Sequence, residues 1–281
     1  MKFSRSSFYH KVKNRSQVKM HREADLRGKI EAICLAYPRY GYRRVTEQLK
    51  RERLQVNHKK VLRLMRESDL LCRISRRRMK TTDSKHRFPR YPNLIKGMAI
   101  TRLNQVWLSD ITYIRIRTGF VYLAAILDAY SRKVIGYAIS RSLDTPLTLE
   151  ALDVAAARRQ IGPGVIHHSD QGVQYASGEY VDELKRRGFL ISMARTGNPY
   201  DNATMESFFK TLKHEEVNLC QYETYQDVVT RLPYFLEEVY NHKRLHSALG
   251  YRPPDEFEEV LLNQENNKGP RQTLLTFSVQ S

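Results

Sequence analysis

The run Val106-Trp107-Leu108, continued by Ile111, Tyr113, Ile114 and Ile116, packs β-branched and aromatic residues so densely that a buried strand is the reading it allows. Thr118-Gly119 supplies a turn into a second strand, Val121 to Leu127, and Lys133 to Ile139 reads as a third. The texture then alternates. Thr145 to Arg159 predicts a helix with Leu147, Leu149, Leu152, Val154 and Ala155 among its apolar positions. Gly162-Pro163-Gly164 breaks it, and Val165-Ile166 opens a fourth strand. A helix over Ser177 to Arg187, a fifth strand at Leu190 to Met193, and a long helix from an Asn202 cap to about Leu219 complete the pattern. Three consecutive strands followed by alternating helix and strand predict an α/β fold, a mixed five-stranded sheet flanked by helices.

The first hundred residues read differently. They hold 28 Lys/Arg against 8 Asp/Glu, whereas the whole chain has a net charge of +18, so the front carries the entire excess. Charge segregated in this way is the footprint of a polyanion-binding module joined to a domain with another task. Apolar spacing predicts a helix from Arg22 to Leu35, closed by Pro38, and a second carrying Val45 and Leu49. A turn at Leu54-Gln55-Val56-Asn57 follows, and Asn57 caps a third helix bearing Val61, Leu62, Leu64 and Met65. That is the helix-turn-helix plan, with Arg43 and Arg44 on the second helix and Lys59, Lys60 and Arg63 on the third as candidate DNA contacts. The bland counterpart is a three-helix bundle with a solvated basic face. Residues 70–100 read as a basic linker, with Arg76, Arg77 and Arg78 in its cluster and Pro89 and Pro92 favouring an extended path.

No apolar run is long enough to span a bilayer, and the basic start lacks the apolar core of a signal peptide. Cys34, Cys72 and Cys220 are far apart and form no C-x-x-C pair, which argues for a reducing compartment and against a cysteine zinc site. The expected location is the cytoplasm, at the nucleoid if DNA is the partner.

Three carboxylates stand where chemistry would use them. Asp110 interrupts an apolar strand, Asp170 ends the fourth strand, and Glu206 lies near the start of the long helix. A lone carboxylate inside such a strand is costly unless partnered. Magnesium or manganese suits hard oxygen donors, and two such ions about 3.5–4 Å apart serve in-line displacement at phosphorus. Lys213 lies seven residues after Glu206 and therefore nearly on its helix face, with Lys210 close by; the two lysines are candidate phosphate contacts. A simple i,i+4 pairing of Glu206 with Lys210 is the alternative. His167 and His168 read as packing or DNA contact rather than metal ligands, and Asp128 as a turn or cap residue with Arg132. Asp201 is expected to shape the entry to the Glu206 helix, and Tyr222, Tyr225, Tyr234, Phe235 and Tyr240 to pack helices.

Four segments carry a resemblance. They are Trp107-Leu108-Ser109-Asp110-Ile111-Thr112-Tyr113, His168-Ser169-Asp170-Gln171-Gly172-Val173-Gln174-Tyr175, Asn202 to Lys213, and Tyr240 to Pro254. In this order, with 35 residues between Asp170 and Glu206, the chain resembles the second-reading-frame product of the insertion-sequence-three family of bacterial transposases, within the retroviral-integrase superfamily. The resemblance implies an RNase H-like core with Asp110, Asp170 and Glu206 as metal ligands and Lys213 as the basic residue kept after the glutamate. It implies cleavage at element ends, then attack on target DNA by the freed 3′-hydroxyl.

Expected partners are double-stranded DNA (terminal repeats and target), further copies of the chain on that DNA, and the upstream-frame product of the same element; a membrane is not among them. Opening on Met1 without a heptad repeat, the chain is expected to be the shorter product of its element. The expected organisation is a basic segment over 1–21, the helix-turn-helix domain over 22–69, the linker over 70–100, the integrase-type core with its tail motif over 101–263, and a polar tail over 264–281. A nuclease of the same fold that does not join strands, and a DNA-binding regulator with an inactive core, are the competing readings.

Overall fold

The computed structural model describes residues 5–72, 88–194 and 202–267, with side chains over 17–72, 88–194 and 202–264. The chain divides into two compact units, residues 1–79 and 80–281.

The first unit is helical: α1 (Arg5–Ala36), α2 (Tyr42–Arg51) and α3 (His58–Glu67). Leu26, Ile30 and Ile33 from α1 meet Val45 and Leu49 from α2 and Val61, Leu64 and Met65 from α3 in a buried core. Asn57 accepts the Lys59 N–H at 2.8 Å, as its place ahead of α3 predicts. The first helix begins well before the expected Arg22, because nothing from Arg5 to His21 is a glycine or proline that would stop helix propagation. Arg63 and Lys60 of α3 reach Glu23 of α1 at 2.9 and 3.8 Å, Arg63 also reaches Glu67, and Arg27 pairs with Glu67.

The second unit is built on five strands, β1 (Val106–Ile116), β2 (Gly119–Asp128), β3 (Val134–Ser140), β4 (Ile166–Ser169) and β5 (Leu190–Met193), in the order β3-β2-β1-β4-β5. The first three form an antiparallel meander, and β4 and β5 add in parallel on the far side of β1. Parallel strands need crossovers. These are α4 (Thr145–Arg158) and the pair α5 (Val173–Ala176) and α6 (Gly178–Arg186). Strand alternation divides the core. Val106, Leu108, Ile114 and Ile116 face one hydrophobic layer, whereas Trp107 belongs to the other, with Ala151, Leu152, Tyr180 and Phe189. Gly136 of β3 lets α4 come close: a Cβ there would lie 2.4 Å from the Ala151 carbonyl oxygen.

Beyond β5, α7 (Ala203–Leu212) lies in the first layer with Met205, Phe208, Phe209 and Leu212 buried. The expected single helix to Leu219 instead widens into a π-helical turn, Lys213–Val217, before α8 (Asn218–Cys220). Asn202 does not cap it with its side chain. Then α9 (Tyr225–Tyr234), opened by a Thr224–Asp227 capping box, continues as a π-helical stretch Phe235–Lys243, and α10 (Pro254–Asn267) closes the described chain. Gln264 to Asn267, expected in the polar tail, are helical. Tyr222, Phe235 and Tyr240 are buried packing residues as expected, whereas Tyr234 is exposed. Among the described residues no helix is long and apolar enough to cross a membrane.

Candidate active site

The parallel pairing of β1 with β4 runs Val106 with Ile166 through Ser109 with Ser169. One residue further along, Asp110 and Asp170 emerge side by side, on strands that neighbour at about 4.8 Å. Asp110 stays in step with Leu108 and so points toward the layer holding α7. Its Oδ1 accepts the Ile111 N–H at 2.7 Å, and its Oδ2 accepts the Asn202 side-chain amide at 2.9 Å. Asp170 is held by its own turn, Oδ1 accepting the Gly172 N–H at 2.9 Å. A Cβ at Gly172 would stand 2.9 Å from that same Oδ1, so any side chain there would displace the carboxylate.

Glu206 sits exposed in the first turn of α7. Its charge and that of Asp170 both act on Asp110. Burial, then the Asp170 carboxylate, hold the Asp110 carboxyl well above the usual carboxylate range; the Ile111 and Asn202 hydrogen bonds oppose this, and Glu206 adds to it. Three acids from separate segments therefore share one electrostatic neighbourhood. The donor set is oxygen alone, the chemistry that suits a hard divalent cation. Among the described residues no three His, Cys, Asp or Glu side chains are gathered closely enough to hold a metal ion by themselves, and Glu206 stands exposed.

Lys213 opens the π-helical turn, half-buried, its ammonium 4.4 Å from the centre of the Tyr113 ring. Burial lowers its pKa, and the nearby Asp110 charge opposes that shift. Lys210 lies exposed on α7, one turn beyond Glu206.

The other residues singled out by sequence fall elsewhere. His167 and His168 are both buried, His167 Nε2 against the Tyr180 hydroxyl at 3.0 Å and His168 Nδ1 against Ser192 Oγ at 2.8 Å. They are packing residues. Asp128 closes the β2–β3 turn: Oδ1 accepts from Tyr130 and Ser131, Oδ2 from Asn104, and its carbonyl from the N–H of Arg132, which has a φ of 60°. In the helical unit Arg43 lies by the Tyr42 ring and Arg44 by the Tyr40 ring, while Lys59 is exposed. Lys60 and Arg63 are engaged with Glu23. Arg76, Arg77, Arg78 and Asp201 lie outside the described residues.

Sequence reasoning missed two contributors. Asn202 has the composition of a helix cap but bonds Asp110, and Tyr113 carries the Lys213 ammonium. Alternation along β1 could have flagged Tyr113 as a partly exposed aromatic. No local signal distinguishes Asn202 from an ordinary cap.

Comparison with known proteins fits this geometry. An integrase core domain family matches residues 101–199, a second integrase core domain family matches 187–254, and an HTH-like domain family matches 21–78. The transposase for insertion sequence element IS904 of Lactococcus lactis subsp. lactis is 39% identical over 233 residues, covering 82% of this chain and 92% of that protein. The chain belongs to the IS3 family of insertion-sequence transposases.

A second member of this family, the insertion element IS600 31 kDa protein of Shigella sonnei, is 36% identical over 91% of the chain and 95% of its own length. The transposase InsF for insertion sequence IS3A of Escherichia coli K12 is 33% identical over 88% of the chain and 85% of its own. Together with the sheet order, the integrase-core match makes the second unit an α/β RNase H-like core. The IS3-family chain is thus a transposase of the polynucleotidyl-transferase type, and its HTH-like and integrase domains point to DNA as its partner.

Proposed function

We propose that this transposase cleaves phosphodiester bonds at the ends of an insertion sequence and joins the freed 3′-hydroxyl to target DNA, with Asp110, Asp170 and Glu206 holding divalent ions. The observation that carries this reading is the placement of Asp110 and Asp170 side by side, one residue past the paired ends of β1 and β4, with the Glu206 charge acting on the same Asp110 carboxyl. Carboxylates gathered at one end of neighbouring strands fit a cation site. Magnesium or manganese bound there would supply Lewis-acid activation of the reacting phosphate.

The chain's own groups do the rest. The Ile111 N–H and the Asn202 amide hold the two oxygens of Asp110, and the Gly172 N–H holds Oδ1 of Asp170, so both carboxylates are oriented before substrate arrives. Lys213, braced on Tyr113, and Lys210 on the exposed face of α7 clamp phosphate oxygens of the DNA. The helical unit, assigned to 22–69, binds the terminal repeats, with Arg43, Arg44, Lys59, Lys60 and Arg63 as its phosphate contacts. The basic segment with Arg76, Arg77 and Arg78 continues the track, and residues 101–263 form the catalytic domain. Such an enzyme works where the element's DNA lies, in the cytoplasm, as several copies on paired ends and with the upstream-frame product as a further partner.

Incubation with a labelled element end and magnesium tests the proposal. Nicked and joined products are expected. Asp110→Asn, Asp170→Asn and Glu206→Gln should each abolish both while leaving DNA affinity nearly intact. Appreciable cutting by any of the three would overturn the assignment, and nicking without joining would make the chain a nuclease.

A further inference from the structure

Asn202 stands four residues before Glu206, at the entry to α7, where asparagine ordinarily caps its own helix. It does not do so. Its side-chain amide instead donates to Asp110 Oδ2 at 2.9 Å, across 92 residues of sequence. The other end of the same amide, Oδ1, is buried with no hydrogen-bond partner among the described residues. Buried side-chain oxygens are rarely left so, because an unmet acceptor costs about 1–3 kcal/mol. Two reasons to place Oδ1 elsewhere are thus ignored, a helix terminus and its own desolvation. The orientation follows from Asp110, whose Oδ2 takes the NH2 end of the amide and leaves Oδ1 as the end turned away.

We propose that Asn202 is a further oxygen donor of the cation site, its Oδ1 completing the set made by Asp110, Asp170 and Glu206. This rests on the reading of those acids as a divalent-ion site. A neutral carbonyl is a suitable fourth member: three carboxylates already repel one another around Asp110, and an amide oxygen adds coordination without adding charge. With its NH2 on Asp110 and its oxygen on the ion, one planar group registers β1 against the start of α7 and so fixes where Glu206 enters the site.

The test measures ion binding rather than turnover. Full-length protein stripped with EDTA is titrated with Mn2+ and free Mn2+ is followed by its electron paramagnetic resonance. N202A should weaken Mn2+ binding about tenfold, at the lower end of the effect of losing a group that orients metal ligands. N202D, which has the same shape and presents a charged oxygen, should bind Mn2+ at least as tightly as the parent, yet melt lower in EDTA because a fourth acid then faces Asp110. Parent-like binding by N202A, or weakening by N202D, would overturn the role of Oδ1. Asp110→Asn separates this inference from its premise: if it loses Mn2+ while N202A does not, the carboxylate site stands and the Asn202 donor falls. If the parent chain binds no Mn2+ at millimolar concentration, both fall.

Discussion

Arg244 grips Glu215 with two arms of its guanidinium, Nε to Oε2 and Nη2 to Oε1, each at 2.7 Å. Arg244 belongs to the tail motif, and Glu215 lies two residues past Lys213 in the π-helical turn that follows α7. The guanidinium also lies by the Tyr240 ring, against which His246 packs edge-on at 4.8 Å. Asn241 of the same motif bonds both the N–H and the carbonyl of Val134 at 2.9 Å and so closes the start of β3. The tail therefore holds in place the helix that presents Glu206 and Lys213. Both partners of the ion pair are largely buried, so removing one takes from the other its bidentate charge partner. Arg244→Ala should destabilise the protein by about 3 kcal/mol or more in urea titrations. A loss under about 1 kcal/mol would show that the motif anchors nothing.

Gly172 offers a finer probe of the same centre. Its backbone φ of −70° is open to any residue, so alanine meets no torsional barrier. The added methyl would, however, press on Asp170 Oδ1 from 2.9 Å. Gly172→Ala should change stability by about 1–2 kcal/mol at most, while cleavage falls on the order of 100-fold, the scale expected of a misplaced catalytic group. Unchanged cleavage by a folded variant would mean that the position of Asp170 does not matter to the chemistry.

These two cases mark what is legible in sequence. Asp110 stands out because an acid in an apolar strand is conspicuous, and its neighbourhood with Asp170 follows once two parallel strands are placed side by side. Asn57 is equally legible, a cap whose partner lies two residues away. What escapes is long-range. Asn202 carries the same signal as Asn57, and only the fold shows that its amide goes to β1. The π-helical turn at Lys213–Val217 and the pairing of Glu215 with Arg244 depend on chain brought together from 29 residues apart. The extra turns of α1 were hidden because its basic, weakly apolar start has no stripe for periodicity to detect.

On α3 two neighbouring basic residues should separate binding from stability. Lys59 is exposed, whereas Arg63 links Glu23 at 2.9 Å and Glu67 at 2.8 Å. Lys59→Ala should weaken binding to element-end DNA, reduce the salt slope by about one, and leave the melting temperature unchanged. Arg63→Ala should also lower the melting temperature, since α1 and α3 lose one of their ion-pair links. A Lys59→Ala variant with the parent salt slope would place the DNA surface elsewhere.

His167 sets a pH limit on the core. Burial, and then the neighbouring His168 charge, hold its imidazole down to about 3, against an ordinary value near 6.5. The folded ring therefore stays neutral where the unfolded chain takes up a proton. Its contribution to stability is fully present above about pH 6.5 and is lost as pH falls toward 3, by at most about 1.4 kcal/mol per pH unit. His167→Gln carries no titrating proton and retains an amide that can meet the Tyr180 hydroxyl. It should start from a lower stability at pH 7.5, because the side chain changes shape in a closed core, yet fall less steeply between pH 6 and pH 4. Urea titrations across that interval decide the matter. Parallel curves for the two proteins would mean that the acid sensitivity of the core arises at other groups.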